Sequence, residues 1–196
     1  MSRSGLVLVD LQREVLGRVG DRDVLLGACR AAMESFLGKA LPVVLVRVVR
    51  RADGSDAPVG PGLRTGAGPL GLVEGTDGAE LVTELADLRP RCHEVIKRRR
   101  GAFTGTDLDV LCRGLAVDTL FVGGVDTVLG VESTVRSAYD LGYRVVVLAD
   151  CCRGADQADH SWTLDRVLPR MATVATSTQL DELLETAEQI RVSNRP

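Results

Sequence analysis

Aromatic side chains are scarce in this chain: one Trp, two Tyr and three Phe among 196 residues. With a net charge of −3, the protein has neither the stacking platforms nor the positive field of a nucleic-acid surface. No stretch approaches the roughly 20 consecutive apolar residues of a membrane span. The apolar run Gly5–Val9 is short, ends on Asp10 and does not make a secretory signal. Histidine occurs only at His93 and His160, in no H-x-x-x-H or H-x-x-E-H spacing, so neither a metal site nor a cofactor is expected. The five cysteines, Cys29, Cys92, Cys112, Cys151 and Cys152, form no C-x-x-C pair and are odd in number. They are expected as reduced thiols of a cytoplasmic protein. Lysine is nearly missing too: of 24 basic residues only Lys39 and Lys97 are not Arg. A Lys at a motif position stands out in such a chain, because Arg does not give up its proton in a protein and Lys can.

Apolar residues make up 45% of the chain. At this length they suit one α/β domain over residues 1–196, burying roughly 70% of its unfolded surface. Short β-branched runs alternate with amphipathic stretches. Strands are expected at Gly5–Val9, Pro42–Val49, His93–Lys97, Thr119–Val122, Tyr143–Ala149 and Ala172–Ala175. Helices are expected at Asp21–Leu37, Ala79–Leu85, Thr106–Leu115 with Thr106 as N-cap, Val131–Leu141, Ala155–Leu168 and Thr178–Ile190, with a frayed tail over Arg191–Pro196. The Gly- and Pro-rich stretch Arg50–Asp77 has the length of a lid or binding loop. Strands apolar on both faces that alternate with helices imply a parallel sheet covered on both sides, a three-layer α/β/α domain. Ligands of such sheets sit beyond the C-terminal strand ends, which draws attention to Asp10, Lys97, Gly123–Gly130 and Asp150–Cys152.

Each of these has a functional and a structural reading. Asp10, directly after an apolar strand, is either a carboxyl whose pKa a low-dielectric floor raises for proton transfer, or a turn residue. Lys97 leads Arg98-Arg99-Arg100, either a solvated basic rim or a cation that sets the charge of Asp10 and stabilises a developing anion. Gly123 to Gly130 is either an anion-binding strand-to-helix junction or a plain turn, and it matches neither G-x-G-x-x-G nor a Walker loop. Cys151 and Cys152 read more readily as buried inert thiols than as nucleophiles.

Taken together and in order, five segments resemble the isochorismatase-like hydrolase superfamily, the cysteine hydrolases. They are Gly5-Leu-Val-Leu-Val-Asp-Leu-Gln12, Glu74-Gly-Thr-Asp-Gly-Ala-Glu-Leu81, Val95 to Leu108, Gly124-Val-Asp-Thr-Val-Leu-Gly-Val-Glu-Ser-Thr134 on to Ala138, and Tyr143 to Cys152. The resemblance implies a Rossmann-like six-stranded sheet of order 3-2-1-4-5-6 and a homo-oligomer, dimer or tetramer. It also implies Asp10 as acid/base, Lys97 as catalytic lysine and a non-proline cis peptide near Val125–Asp126. Where the family's nucleophile loop reads G-V-x-T-x-x-C-V-E-x-T, the seventh place here is Gly130. The amidohydrolase branch forms its covalent intermediate on that missing Cys. The true isochorismatases also carry Gly there and use the Asp to cleave a vinyl ether. Val131-Glu132-Ser133-Thr134 is nevertheless closer to the amidohydrolase branch. The nicotinamidase branch adds a metal-binding His that Arg47–Gly54 does not supply.

These residues lead to the expectation of a cysteine-independent hydrolase of a small anionic metabolite, of the kind used in secondary metabolism, without nucleic-acid or membrane partners. Asp10, Lys97 and the open place at Gly130 would carry the chemistry. Gln12, Arg99, Val125, Asp126 and Leu129 would contact substrate, with Arg99 as clamp. The competing expectations are a catalytically inactive relative that binds a metabolite or protein partner, and an amide hydrolase with a displaced thiol at Cys151 or Cys152.

Overall fold

In the computed structural model, residues 3–56 and 72–193 are described; residues 57–71, the middle of the Arg50–Asp77 loop, lie outside them. Six parallel strands form one sheet of order β3-β2-β1-β4-β5-β6. They are β1 (Arg3–Val9), β2 (Val43–Val48), β3 (His93–Lys97), β4 (Val117–Val125), β5 (Arg144–Arg153) and β6 (Thr173–Ala175). The helices are α1 (Arg13–Leu16), α2 (Arg22–Gly38), α3 (Leu108–Gly114), α4 (Glu132–Asp140), α5 (Gln157–Trp162) and α6 (Leu180–Ser193).

The alternation within β1 divides the core. Leu6 and Leu8 face α2 and α6 with Met33, Phe36 and Leu180, whereas Val7 and Val9 face α3 and α4 with Leu108, Val131 and Val135. Both faces of the strand are buried because both are covered by helices, which is why its sequence is a continuous apolar run. Phe36 meets Phe121 edge to face, with ring centroids 5.3 Å apart.

Several elements differ from the expected boundaries for identifiable reasons. The stretch Ala79–Leu85 is not a helix but two single 3-10 turns, Asp77–Ala79 and Thr83–Leu85. Between them Leu81 bridges antiparallel to Gln12, a tertiary pairing that overrides local propensity. α1 is one turn with no side-chain cap and leaves no periodic trace in the sequence. α3 begins at Leu108, and its backbone N–H donates to Thr106 Oγ1 at 3.3 Å, one place before the geometric cap Asp107. The helix expected over Ala155–Leu168 is broken into α5, a π turn at Thr163–Val167 and a 3-10 turn at Leu168–Arg170, where Pro169 removes a donor.

The decisive departures are at the strand ends. β4 runs on through Gly123, Gly124 and Val125, and β5 through Asp150 to Arg153, so these residues are in the sheet and not beyond it. At Gly124, with φ +125, a Cβ would lie 2.1 Å from the Val9 carbonyl oxygen. At Gly123 it would lie 2.8 Å from Cys151 Cβ. The glycine pair therefore serves the close approach of β1, β4 and β5.

Candidate active site

β1 delivers Asp10 at the C-terminal edge of the sheet, with its backbone N–H donating to the Val46 carbonyl at 2.8 Å. The residue adopts the left-handed region, φ +55, a conformation that costs a non-glycine residue about 1–2 kcal/mol. Its carboxyl is buried. Oδ2 lies 2.8 Å from Lys97 Nζ, while Oδ1 has no hydrogen-bond partner among the described residues. Lys97 stands on the edge strand β3 and reaches past β2 to make this contact; Nζ also donates to the Arg100 carbonyl at 2.6 Å. The pair is almost wholly withdrawn from water, with Lys97 only 1% exposed and Asp10 6%. Burial raises the Asp10 pKa to about 6, and Lys97 opposes that rise without cancelling it.

Gly130 completes the group. β4 leads into a π turn, Thr127–Val131, which opens α4, and a Cβ placed on Gly130 would lie 3.2 Å from Asp10 Oδ2. The same Cβ would be 3.1 Å from the Val125 carbonyl oxygen and from Val9 Cγ1. Position 130 thus faces the Asp10 carboxyl directly, and any side chain there would crowd it. The Val125–Asp126 peptide is cis.

The expected contact residues are placed differently from one another. Val125 is buried beside Gly130, and Leu129 is half-buried in the turn. Asp126 caps the turn: Oδ1 accepts from Val128 N at 3.0 Å and Oδ2 from Ala155 N at 3.2 Å. Its carbonyl accepts from Leu129 N and Val131 N, both at 3.1 Å. Three N–H groups of the turn expected to bind an anion are therefore already taken by Asp126 itself. Gln12 is fully buried. Its amide donates to the carbonyls of Val48 (2.9 Å) and Ala79 (2.7 Å) and accepts from Val48 N (2.9 Å). These bonds use both of its N–H groups to clip β2 and the Asp77–Ala79 turn onto the end of β1. Arg99 is exposed and donates to the Asp56 and Arg98 carbonyls, at 2.8 and 3.0 Å. The thiols of Cys151 and Cys152 are wholly buried, on opposite faces of the sheet. Burial and the neighbouring Cys151 push the Cys152 thiol far above its usual range. Among the described residues no cluster of acids, histidines and cysteines has the make-up of a metal site.

Three supports leave little or no signal in the sequence. Buried Thr134 accepts from Ala102 N at 3.0 Å and donates to the Gly130 carbonyl at 2.7 Å, joining the segment after Lys97 to the turn at Gly130. Buried Thr127 Oγ1 hydrogen-bonds His160 Nδ1 at 2.8 Å, and burial, with Arg153 second, holds that imidazole below its ordinary pKa. Arg153 ends β5 in register with Val125. The single signal for the Thr–His bond is the isolation of His160 on an otherwise ordinary helix.

The sequence profile of the Isochorismatase domain matches residues 4–179, from β1 to the start of α6. The chain belongs to the isochorismatase family. It is 32% identical over 181 residues to the uncharacterized isochorismatase family protein YecD of Escherichia coli O157:H7, covering 87% of this chain and 90% of that one. The structure of an isochorismatase family protein from Burkholderia thailandensis is similar with a TM-score of 0.83, at 29% identity over 93% of this chain and 95% of that one. N-carbamoylsarcosine amidase from Thermoplasma acidophilum is similar with a TM-score of 0.70, at 26% identity, covering 89% and 96%. These likenesses place this isochorismatase-family chain among hydrolases and agree with its sheet order.

Proposed function

We propose that this protein hydrolyses the C–O bond of a small anionic enol ether, with Asp10 as general acid and without a covalent intermediate. The observation that carries the reading is the buried Asp10 carboxyl, with a pKa near 6, directly opposite Gly130, where the family motif has its thiol. A carboxyl tuned to that range holds a proton at slightly acidic to neutral pH and gives it up readily. The Asp10 proton goes to the terminal enol carbon, leaving an oxocarbenium ion. Water adds to that cation, and its proton returns to the Asp10 carboxylate. The resulting hemiketal collapses to a ketone and an alcohol, so atoms and charge balance. Lys97 keeps Asp10 from losing its ionised form altogether and stabilises the carboxylate left after proton donation.

The test is a hydrolysis screen of 2-alkoxyacrylates and 2-aryloxyacrylates against a panel of primary amides and N-carbamoyl amino acids, on wild type and Asp10→Asn. Keto-acid release by the wild type and none by Asp10→Asn is expected. Ammonia release from the amides, with no reaction of the enol ethers, would overturn the reading.

A further inference from the structure

We infer that Arg153 is the anchor for the substrate's carboxylate, a specificity-determining residue at the C-terminal end of β5, on the other side of β1 from the strand that carries Lys97. The inference deepens the proposed function and rests on its account of an anionic substrate; the carboxylate is the chemical group assigned to Arg153.

A substrate anion needs a cationic or N–H partner that the fold has not already used. The turn at Asp126–Val131 offers little, because Asp126 takes the N–H groups of Val128, Leu129 and Val131 for itself. Lys97 is committed to Asp10 Oδ2 and the Arg100 carbonyl. Arg47 is paired with Glu80 and Glu94, and Arg98 with Asp56. Arg99 is turned to the Asp56 carbonyl. Arg50 has a buried Nε with no hydrogen-bond partner among the described residues, but it stands beyond the end of β2, bridged to Val73 and bordering residues 57–71.

Arg153 is different on three counts. Its place in the sheet is fixed: it lies in register with Val125, whose carbonyl borders the space at Gly130, and β4 is the only strand between it and β1. Its guanidinium is half-buried and makes one hydrogen bond, from Nη1 to the Cys152 carbonyl at 2.8 Å, with no acid within ion-pair distance among the described residues. The nearby acid just after β4, Asp126, has both carboxylate oxygens engaged by backbone N–H groups. A half-buried guanidinium keeps a strong, planar fork of donors for an incoming carboxylate, and the reduced access of water makes that pairing stronger than on an open surface. Burial, and then Arg153, lower the pKa of the neighbouring His160 imidazole, which disfavours a second cation there.

The test uses phenoxyacetate, a carboxylate that cannot be cleaved, and phenoxyacetamide, its uncharged counterpart. Calorimetric binding of both is measured on wild type, Arg153→Met, Arg153→Lys and Asp10→Asn. Hydrolysis of 2-phenoxyacrylate is followed in parallel, with thermal unfolding to confirm folding. The wild type is expected to prefer the carboxylate by roughly 10- to 100-fold, the range of one charge-assisted hydrogen-bonded pair. Arg153→Met should lose that preference, Arg153→Lys should keep part of it, and Asp10→Asn should retain it. In turnover, Arg153→Met should raise KM by the same factor with kcat little changed. Equal binding of the two probes by the wild type, no binding of either, or an Arg153→Met variant that keeps the preference would each overturn the assignment. If the wild type does not cleave 2-phenoxyacrylate while Arg153-dependent binding persists, the C–O hydrolysis reading falls and the anchor stands. Cleavage of 2-phenoxyacrylate with a carboxylate preference indifferent to Arg153 would sink the anchor and leave the C–O hydrolysis reading in place.

Discussion

Asp10 and Cys152 both lie at the C-terminal edge of the sheet, both are buried, and in both burial is the main force on the proton. The outcomes are opposite. Removing water disfavours the charged form of either group, so both pKa values rise. For a carboxyl that starts near 4, the rise ends near neutrality, where a proton is both held and transferable. For the Cys152 thiol, whose ordinary pKa already lies above neutrality, the rise carries it further away. The contrast sets the Asp10 carboxyl apart from the Cys152 thiol although both are buried at the same edge of the sheet. The difference is chemical type together with partner: Asp10 has Lys97 at 2.8 Å, whereas Cys152 has the Cys151 thiol and Asp150 pushing the same way as burial, with only the Gly124 backbone and Arg153 opposing.

The most direct challenge to the contrast is to remove the transferable proton. Asp10→Asn should lower kcat by about 10²–10⁴-fold while ligand binding changes little, since volume is preserved. In the wild type, kcat/KM should be level below pH 6 and fall tenfold per unit above it, because the acid form is lost through the Asp10 pKa of about 6. A profile flat from pH 5 to 8 would separate Asp10 from the proton transfer.

Lys97→Met isolates the role of the partner. It leaves the buried Asp10 charge unopposed and should destabilise the fold by about 3–5 kcal/mol at pH 8. The folded pKa of Asp10 is already above its unfolded value, so the stability it contributes is present at low pH and is lost as pH rises through about 6. Without Lys97 that pKa rises further. The destabilisation should therefore shrink toward pH 5, which denaturant melts at the two pH values would read.

Gly130→Cys is a smaller perturbation. A Cβ there meets the Val125 carbonyl, Val9 and Asp10 Oδ2 at 3.1–3.2 Å, and the sulfur adds volume in front of the carboxyl. Weakening of phenoxyacetate binding by about tenfold, equivalent to about 1.4 kcal/mol, is expected, with no gain of amide hydrolysis. The smallest effect is on the thiol side of the contrast. Iodoacetamide and EDTA should leave turnover within experimental error, because Cys151 and Cys152 are fully buried and no metal-ligand cluster exists among the described residues. Substrate-protected inactivation by iodoacetamide would move the chemistry to a thiol.

The parallel sheet is legible in the sequence because continuous apolar runs such as Leu6–Val9 are what a doubly covered parallel strand requires, whereas its order is implied by the family resemblance alone. Asp10 just after β1, Lys97 at the end of β3 and Gly130 in the turn after β4 are legible because each stands at a strand end or junction inside a recognisable motif. The roles of other residues depend on contacts distant in sequence. Gln12 is spent on Val48 and Ala79, partners 36 and 67 residues away. Arg99 is drawn to Asp56, 43 residues back. Arg153 is hidden because the strand signal of Tyr143–Ala149 ends early, where the polar Asp150 interrupts the valines, although the sheet continues.

The Thr134 hydroxyl, wedged between the Ala102 N–H and the Gly130 carbonyl, has a kinetic consequence. The Ala102 amide lies in irregular backbone just after Lys97, where hydrogen exchange with solvent is ordinarily fast. Because its proton is held by a buried side chain of α4, it should exchange on the slow timescale of the sheet. The segment after Lys97 and the turn carrying Gly130 would then open together as one cooperative unit.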